Sequence, residues 1–230
     1  MDEDRQDRMV RLRDSICIWK DSMESIYAEF ADKLPIVMQD IVGMLEERNL
    51  ANRSAGGEGL YEHLQKRIKS DASMREKCRR RGLPETAESA LAELTDAVGL
   101  RVVVRFLDDI QTIRRIFESS ERIRIVAEKD YITQVKPNGY RGFHLILALS
   151  EPFEDVRGNI PGTYYAEVQL RTIAQDVWAS LEHELKYKHD IGNASLVQSE
   201  LLRCADGLAS CDVQMQTIRT LIESSKGDAQ

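Results

Sequence analysis

The chain has 230 residues, of which 42% are hydrophobic and 31% are charged, and its formal net charge is −7. These values predict a folded protein with either one substantial domain and appended helices or two small domains, and they exclude a chain that is disordered throughout. The acidic balance disfavours a surface that binds DNA or RNA over its whole area. No apolar run approaches the roughly 20 residues of a membrane helix. The charged N-terminus lacks the apolar core of a signal peptide, so we expect a cytoplasmic protein without a membrane partner.

The first part of the chain is predicted to be helical. Apolar residues recur every three or four positions over residues 7–31, which is typical of an amphipathic helix. A second helix is predicted from Pro35 to Arg48, because proline is favoured in the first helical turn. The glycine-containing segment 51–59 predicts a loop, and this loop would end an N-terminal helical region at residues 1–59.

The middle of the chain alternates between predicted strands and helices. Residues 60–69 fit either a strand or a helix, and residues 71–81 predict a helix that ends at Gly82. Further elements are the strands Leu100–Phe106, Arg122–Glu128, Arg141–Leu149 and Tyr164–Arg171 and the helices Asp108–Ser119 and Thr172–Lys188. This order predicts an α+β fold in which a mixed central β-sheet of about five strands is flanked by helices.

The C-terminal segment, residues 191–230, predicts a long helix from Ser195 to about Glu223. Its apolar residues follow alternating spacings of four and three, which is the a/d pattern of a coiled coil. This seam consists of Val197, Leu201, Cys204, Leu208, Cys211, Met215, Ile218 and Ile222. Such a seam packs either on the parent domain or on a second chain, and the periodicity alone leaves both outcomes open.

Two predicted strands carry polar faces. Alternation in TYYAEVQLR places Glu167, Gln169 and Arg171 on one side of a strand. The strand around Arg101 also has a charged face, and Asp96 lies just before it. If both strands belong to one sheet, two carboxylates and several cations converge, which suits Mg²⁺ bound to a polyphosphate. A strand with one solvated face is the alternative interpretation.

Two basic segments accompany these strands. The loop KPNGYRG at 136–142 combines a glycine that permits close approach to a ligand, an aromatic ring and two cations. From Lys66 to Arg81 there are eight basic residues and two acidic ones, which indicates a local anion site in an acidic protein. An ordinary turn and a solvated cationic helix are the alternatives. The chain has no GxxxxGK[ST] and no GxGxxG, so neither a P-loop nor a Rossmann site is indicated.

In this order the motifs resemble the synthetase domain of the RelA/SpoT family, the enzymes that make (p)ppGpp. The matching segments are RIKSDASMREK (67–77), ELTDAVGLRVVVRFLDDI (93–110), KDYITQVKPNGYRGFH (129–144) and EVQLRTIAQDVWASLEHELKYK (167–188). The resemblance implies a nucleotidyltransferase-like synthetase domain at residues 60–190. One position departs from the family pattern, which usually has serine where this chain has Gly142.

The resemblance implies transfer of pyrophosphate from ATP to the 3′-OH of GDP or GTP, with release of AMP, in the stringent response. It implies ATP binding by Arg67, Lys69, Ser73, Lys77 and Arg101. Asp96 and Glu167 would be catalytic and would hold Mg²⁺, and Glu167 would also help to deprotonate the 3′-OH. The acceptor GDP or GTP would be bound by Lys136, Asn138, Tyr140, His144, Gln169, Arg171 and Asp176, with Tyr140 stacked on guanine.

The resemblance is to the small, stand-alone synthetases, since no paired HD motif of a hydrolase domain is present. These small members are often homotetramers, which makes the C-terminal helix an expected oligomerisation element. Two other functions stay open. One is pyrophosphorylation of the CCA end of tRNA, against which the net charge of −7 argues. The other is a non-catalytic module that binds guanine nucleotides or RNA, against which the presence of both metal carboxylates argues.

Overall fold

A computed structural model of the protein describes residues 25–187 and 194–227. Most of the helix predicted over 7–31 lies outside these residues. Where that prediction overlaps the described part, the chain forms a 3₁₀ turn at Ala28–Phe30 instead of an α-helix. In the described ranges, no helix combines the length and the apolar character needed to cross a membrane.

A five-stranded mixed sheet forms the centre of the domain, with the strand order β1-β2-β5-β4-β3. The strands are β1 (His63–Ile68), β2 (Val98–Val104), β3 (Ile123–Asp130), β4 (Phe143–Glu151) and β5 (Gly162–Thr172). Strands β2 and β5 are parallel, and the other neighbouring pairs are antiparallel. The predicted α+β fold is confirmed, and the ambiguous segment 60–69 contains an edge strand.

Helices flank this sheet. They are α1 (Leu34–Ser54), α2 (Asp71–Arg81), α3 (Leu107–Glu118), α4 (Ile173–Tyr187) and α5 (Ala194–Gly227), with a π-helical turn at Ser89–Glu93. Helix α1 continues past the predicted end at Arg48 into the segment predicted as a loop. The residues that follow Arg48 are compatible with a helix, and the first glycine comes only at Gly56. Helix α2 ends as predicted, at Gly82 in the left-handed conformation with φ of 68°.

The apolar face of the sheet packs against α1 and α3. On β2, Leu100, Val102 and Val104 are at most 2% exposed and belong to the same hydrophobic core as Ile41 of α1 and Phe117 of α3. Because successive side chains of a strand point to opposite sides, the residues between them lie on the other face. That second face is polar, and it carries the predicted site.

Helix α5 packs on the domain with only part of its predicted seam. Leu201 and Leu208 are half-buried, whereas Cys204, Cys211, Met215, Ile218 and Ile222 are exposed. The residues that contact the domain most closely include Ala205 and Asp212, which are 4% and 7% exposed. Asp212 is buried because it takes part in a polar contact, in which the Thr172 hydroxyl donates to Asp212 Oδ2 at 2.7 Å. Apolar spacing gives no information on such a contact.

Candidate active site

The register of the sheet brings residues from four strands together on its polar face. Gln65, Arg101, Gln169 and His144 form one row across β1, β2, β5 and β4. The next row consists of Arg67, Gly99, Glu167 and Ile146. The space above these rows is an open cleft of about 550 Å³, lined among others by Arg67, Asp96, Gly99, Arg101, Glu167 and Gln169. Residues predicted to bind ATP and residues predicted to act on the acceptor therefore line one cleft.

Asp96, which lines the cleft, forms ion pairs with two lysines. It lies in the extended segment before β2 and forms ion pairs through Oδ2 with Lys69 and with Lys77, whose Nζ is 2.6 Å away. Burial raises the pKa of Asp96, but the hydrogen bonds and charges of the two ammonium groups outweigh it and lower the pKa below its ordinary value. The carboxylate is therefore ionised and places two cations beside the cleft.

The other oxygen of Asp96 supports the predicted magnesium site. Asp96 Oδ1 is buried and has no hydrogen-bond partner in the part of the chain that the structure describes, which is costly for a carboxylate unless a cation or donor satisfies it. Within the described ranges, no group of three or more His, Cys, Asp or Glu side chains is placed to hold a metal ion. Two carboxylates that need substrate phosphates to complete the coordination shell fit Mg²⁺. Asp96 and Glu167 are the pair that would hold it.

Beside the cleft, five side chains form a closed ring of hydrogen bonds, and two of them, Glu167 and Gln169, line the cleft. Arg171 Nε donates to the Tyr140 hydroxyl at 3.2 Å, and this hydroxyl lies 2.6 Å from His144 Nε2. His144 Nδ1 lies 3.2 Å from Glu167 Oε1. Gln169 closes the ring, since its Nε2 donates to Glu167 Oε2 at 3.1 Å and its Oε1 accepts from Arg171 Nη2 at 3.1 Å. We call these five residues the acceptor ring.

The two arms of the acceptor ring start at Arg171 and meet at Glu167. A guanidinium is only a donor, so the Tyr140 hydroxyl and the Gln169 side-chain oxygen accept from Arg171. An ionised carboxylate only accepts, so Glu167 accepts from Gln169 Nε2 and from a proton on His144 Nδ1. Burial raises the pKa of Glu167, but the hydrogen bond and the electrostatic attraction of His144, a hydrogen bond from Gln169 and the charge of Lys77 lower it to about 2. Glu167 is thus held as a carboxylate.

Arg171 also ties the sheet to helix α4. It is 6% exposed, and its Nη1 lies 3.0 Å from Asp176 Oδ1. The same oxygen lies 3.4 Å from Arg101 Nη1, so the carboxylate of Asp176 partly neutralises the positive charge of two guanidinium groups. Arg101 Nε is buried and has no hydrogen-bond partner among the described residues. Asp176 in the first turn of α4 is also favoured by the helix dipole.

The loop between β3 and β4 is compact. Gly139 has φ of +90°, and Lys136 Nζ lies 4.1 Å from the centroid of the Tyr131 ring and 4.8 Å from that of Tyr140. Asn138 bonds away from the cleft, because its Nδ2 donates to Glu182 Oε1 of α4 at 3.0 Å. Tyr140 is 9% exposed in this structure. Its predicted stacking on guanine stays a prediction.

Ser73 is the predicted site residue whose observed contacts are local. It is exposed on α2, and its backbone N–H donates to the Ser70 side chain that caps the helix.

Two residues that the sequence did not single out lie at the site. Gln65 accepts from Arg101 Nη1 at 3.3 Å, and the Tyr131 ring packs edge-on against His144 at 5.2 Å. If residues 60–69 are taken as a strand, alternation places Gln65 on the same face as Arg67, and this signal could have identified Gln65. No sequence pattern indicated Tyr131.

Comparisons with known proteins agree with this architecture. The family model described as "Region found in RelA / SpoT proteins" matches residues 66–192. GTP pyrophosphokinase YwaC of Bacillus subtilis is 34% identical over 171 residues, which cover 73% of this chain and 78% of that protein. A solved GTP pyrophosphokinase family protein from Streptococcus pneumoniae is 31% identical with a TM-score of 0.73, covering 86% of this chain and 94% of that one.

A further solved structure is the small alarmone synthetase 1 of Bacillus subtilis bound to its product pppGpp. It is 28% identical to this chain with a TM-score of 0.71, and the match covers 82% of this chain and 94% of that one. The matched family region includes Asp96, Glu167 and all five residues of the acceptor ring. On these grounds the chain belongs to the RelA/SpoT family.

Proposed function

We propose that the protein is a GTP pyrophosphokinase that transfers pyrophosphate from ATP to the 3′-OH of GDP or GTP and releases AMP. The product is (p)ppGpp, the signal of the stringent response. The observation that carries this proposal is the cleft that Asp96 and Glu167 both line, with Lys69 and Lys77 paired to Asp96 and with Glu167 held by the acceptor ring. The names of the similar proteins support it, since they are GTP pyrophosphokinases and small alarmone synthetases.

On the donor side, the proposed roles follow from charge and position. Lys69 and Lys77 bind the phosphates of ATP, while Arg67 and Arg101 on neighbouring strands flank the adenine. Mg²⁺ held by Asp96 and Glu167 would neutralise phosphate charge when bound. Phosphoryl transfer depends mainly on positioning and charge compensation, which these groups supply.

On the acceptor side, Glu167 receives the proton of the ribose 3′-OH. The oxygen then attacks the β-phosphorus of ATP, a new O3′–Pβ bond forms, and the bond from Pβ to the α,β-bridging oxygen breaks to release AMP. Stacking of guanine on Tyr140 requires the ring to turn outward from its buried position. The tyrosine hydroxyl would then leave His144, so acceptor binding would open the acceptor ring at the residue next to Glu167.

Product analysis tests this function. We expect the purified full chain with Mg²⁺, ATP and GDP, GTP or GMP to form AMP and a 3′-pyrophosphorylated guanosine nucleotide. Glu167→Gln should abolish turnover and keep the circular dichroism spectrum of the wild type. Lys129→Gln, at the exposed position paired with His144 in the sheet, is the matched control and should remain active. Absence of AMP with every guanine nucleotide would overturn the proposal, and labelling of tRNA instead would identify the alternative acceptor.

We also propose that the protein forms a homo-oligomer, with a tetramer as the expected state, through α4 and α5. Helix α4 exposes an apolar stripe at every fourth residue, namely Ile173 (45%), Val177 (46%), Leu181 (51%) and Leu185 (43%). Helix α5 exposes Val213, Met215, Ile218, Leu221 and Ile222. Contiguous apolar surface of this kind marks interaction sites. Light scattering should give a multimer for the wild type and a lower mass for Leu181→Asp, and a monomeric wild type would refute this.

A further inference from the structure

The loop that carries Tyr140 is held by two helices, one contact on each side of Gly139. Asn138 bonds to Glu182 of α4. Arg141 Nη2 lies 2.8 Å from Asp206 Oδ1 of α5, and Arg141 Nη1 also donates to the Gly139 carbonyl at 3.3 Å. The conformation of the loop therefore depends on a side chain of the C-terminal helix.

Gly139 lies directly on the surface of α5. A Cβ at this glycine would be 2.9 Å from Ala205 Cβ and 3.2 Å from Leu202 Cδ1, both of α5, and 3.5 Å from Trp178 Cζ2 of α4. Its φ of +90° also excludes most L-residues. The backbone of the loop and the helix are thus in contact without space for a side chain between them.

The position of α5 at this contact is itself fixed by the domain. Trp178, 4% exposed, donates from Nε1 to the Leu201 carbonyl at 2.8 Å and forms a separate hydrophobic cluster with Tyr140 and Ala205. About two turns after Ala205, Asp212 accepts from Thr172 at the end of β5. Helix α5 is therefore connected to the same strand that supplies Glu167.

From these contacts we propose that α5 positions the loop that carries Tyr140, at residues 131–142. Asp206 and Ala205 are then positioning residues for the guanine nucleotide. The inference rests on the proposed function and adds a role for residues that contact neither substrate. Of the groups assigned to ATP, Lys69 directly after β1 and Lys77 on α2 pair with Asp96 and not with the loop or with α5. Loss of the α5 contacts should accordingly weaken acceptor binding and leave ATP binding unchanged.

Steady-state kinetics with each substrate varied in turn tests this separation. Asp206→Ala should raise the KM for GDP about threefold, as expected for a partly exposed ion pair, with the KM for ATP unchanged. Ala205→Leu, which must displace Gly139, should raise the KM for GDP about tenfold or more. Asp206→Glu should restore the wild-type value because it keeps the charge. Glu200→Ala removes the partner of Arg203 on the same helix and serves as the control, with both KM values unchanged.

Calorimetric titration of GDP without ATP gives a second readout that does not depend on turnover. A general loss of stability would lower the active fraction, and hence kcat, without a selective change of the GDP dissociation constant. An active wild type with the same KM and dissociation constant for GDP in Asp206→Ala and Ala205→Leu would overturn the inference and leave the proposed function intact. An inactive wild type that still binds GDP would overturn the function, while the calorimetric comparison would still decide the role of α5.

Discussion

His144 Nδ1 lies 3.2 Å from Glu167 Oε1, which joins an imidazole that is 8% exposed to the carboxylate at the centre of the cleft. Replacement of His144 by Leu should remove the donor that does most to lower the pKa of Glu167. A group with a lowered pKa is ionised until the pH falls through that value, so a higher pKa means protonation at higher pH. We therefore expect the acid limb of the kcat/KM profile to move to higher pH and turnover to fall at least about tenfold. An unchanged acid limb would contradict this role.

Asp96→Asn should affect metal dependence more than folding. The amide retains the shape of the side chain but loses the charge that Lys69 and Lys77 share, and it is a poorer ligand for Mg²⁺. We expect the Mg²⁺ concentration for half-maximal AMP formation to rise about tenfold or more. Glu85→Gln, which weakens ion pairs with Arg75 and Arg79 outside the cleft, is the control. The same Mg²⁺ dependence in Asp96→Asn and wild type would show that Asp96 is not a ligand.

Arg171→Lys tests the geometry of the acceptor ring at constant charge. The guanidinium bonds to Tyr140, Gln169 and Asp176 at once, and one ammonium group cannot reach all three positions. Because the site is buried, we expect a loss of about 3 kcal/mol in the free energy of unfolding, measured by denaturant titration. Arg124→Lys on the exposed side of β3 should change stability by less than about 0.5 kcal/mol. Equal stability of the two variants would contradict the structural role of Arg171.

Gly142→Ala tests whether the buried position of Tyr140 competes with acceptor binding. The added Cβ would lie 3.0 Å from the Tyr140 hydroxyl and would push this oxygen away from the acceptor ring. We expect a lower KM for GDP and an unchanged KM for ATP. Gly43→Ala in α1, where a Cβ meets no atom within 4 Å, is the control. A KM for GDP equal to that of the wild type would show that Tyr140 does not have to leave the acceptor ring.

Glu151→Gln should stabilise the protein at neutral pH. Glu151 is 1% exposed, and its Oε1 has no hydrogen-bond partner within residues 25–187 and 194–227. Burial and the charge of Asp40 raise its pKa despite the ion pair with Arg122. Ionisation of this group therefore costs stability above the raised pKa, and the cost disappears as the pH falls below the ordinary value of 4.5. We expect a gain on the order of 1 kcal/mol at about pH 8 that vanishes near about pH 4. A gain independent of pH would refute this explanation.

The sequence predicted elements well where local chemistry determines them. Helix α2 begins after Ser70 and ends at Gly82, because a hydroxyl caps its first turn and a glycine adopts the left-handed conformation that ends it. The face of β5 with Glu167 and Arg171 also followed from alternation alone. In contrast, the end of α1 was wrong by six residues, since nothing in residues 49–54 stops a helix before the glycines.

The contacts inside the site were beyond sequence reasoning for a physical reason. The hydrogen bond from Arg171 to Tyr140 joins residues 31 positions apart, and it exists only because of the register between β4 and β5. The burial of Asp212 on an otherwise amphipathic helix depends in the same way on Thr172. Periodicity assigned residues to faces but gave no information on which polar partners these faces would meet.

The strand order determines when the cleft can form during synthesis of the chain. Strand β5 is the last in the chain and yet lies in the middle, between β2 and β4. Before residues 162–172 leave the ribosome, the ATP side on β1 and β2 and the acceptor side on β4 have no sheet in common. Pairing of distant segments is slow because loop closure precedes any gain in contacts. A nascent chain without β5 therefore lacks Glu167, Gln169 and Arg171, and the two sides are joined into one cleft only in a late step.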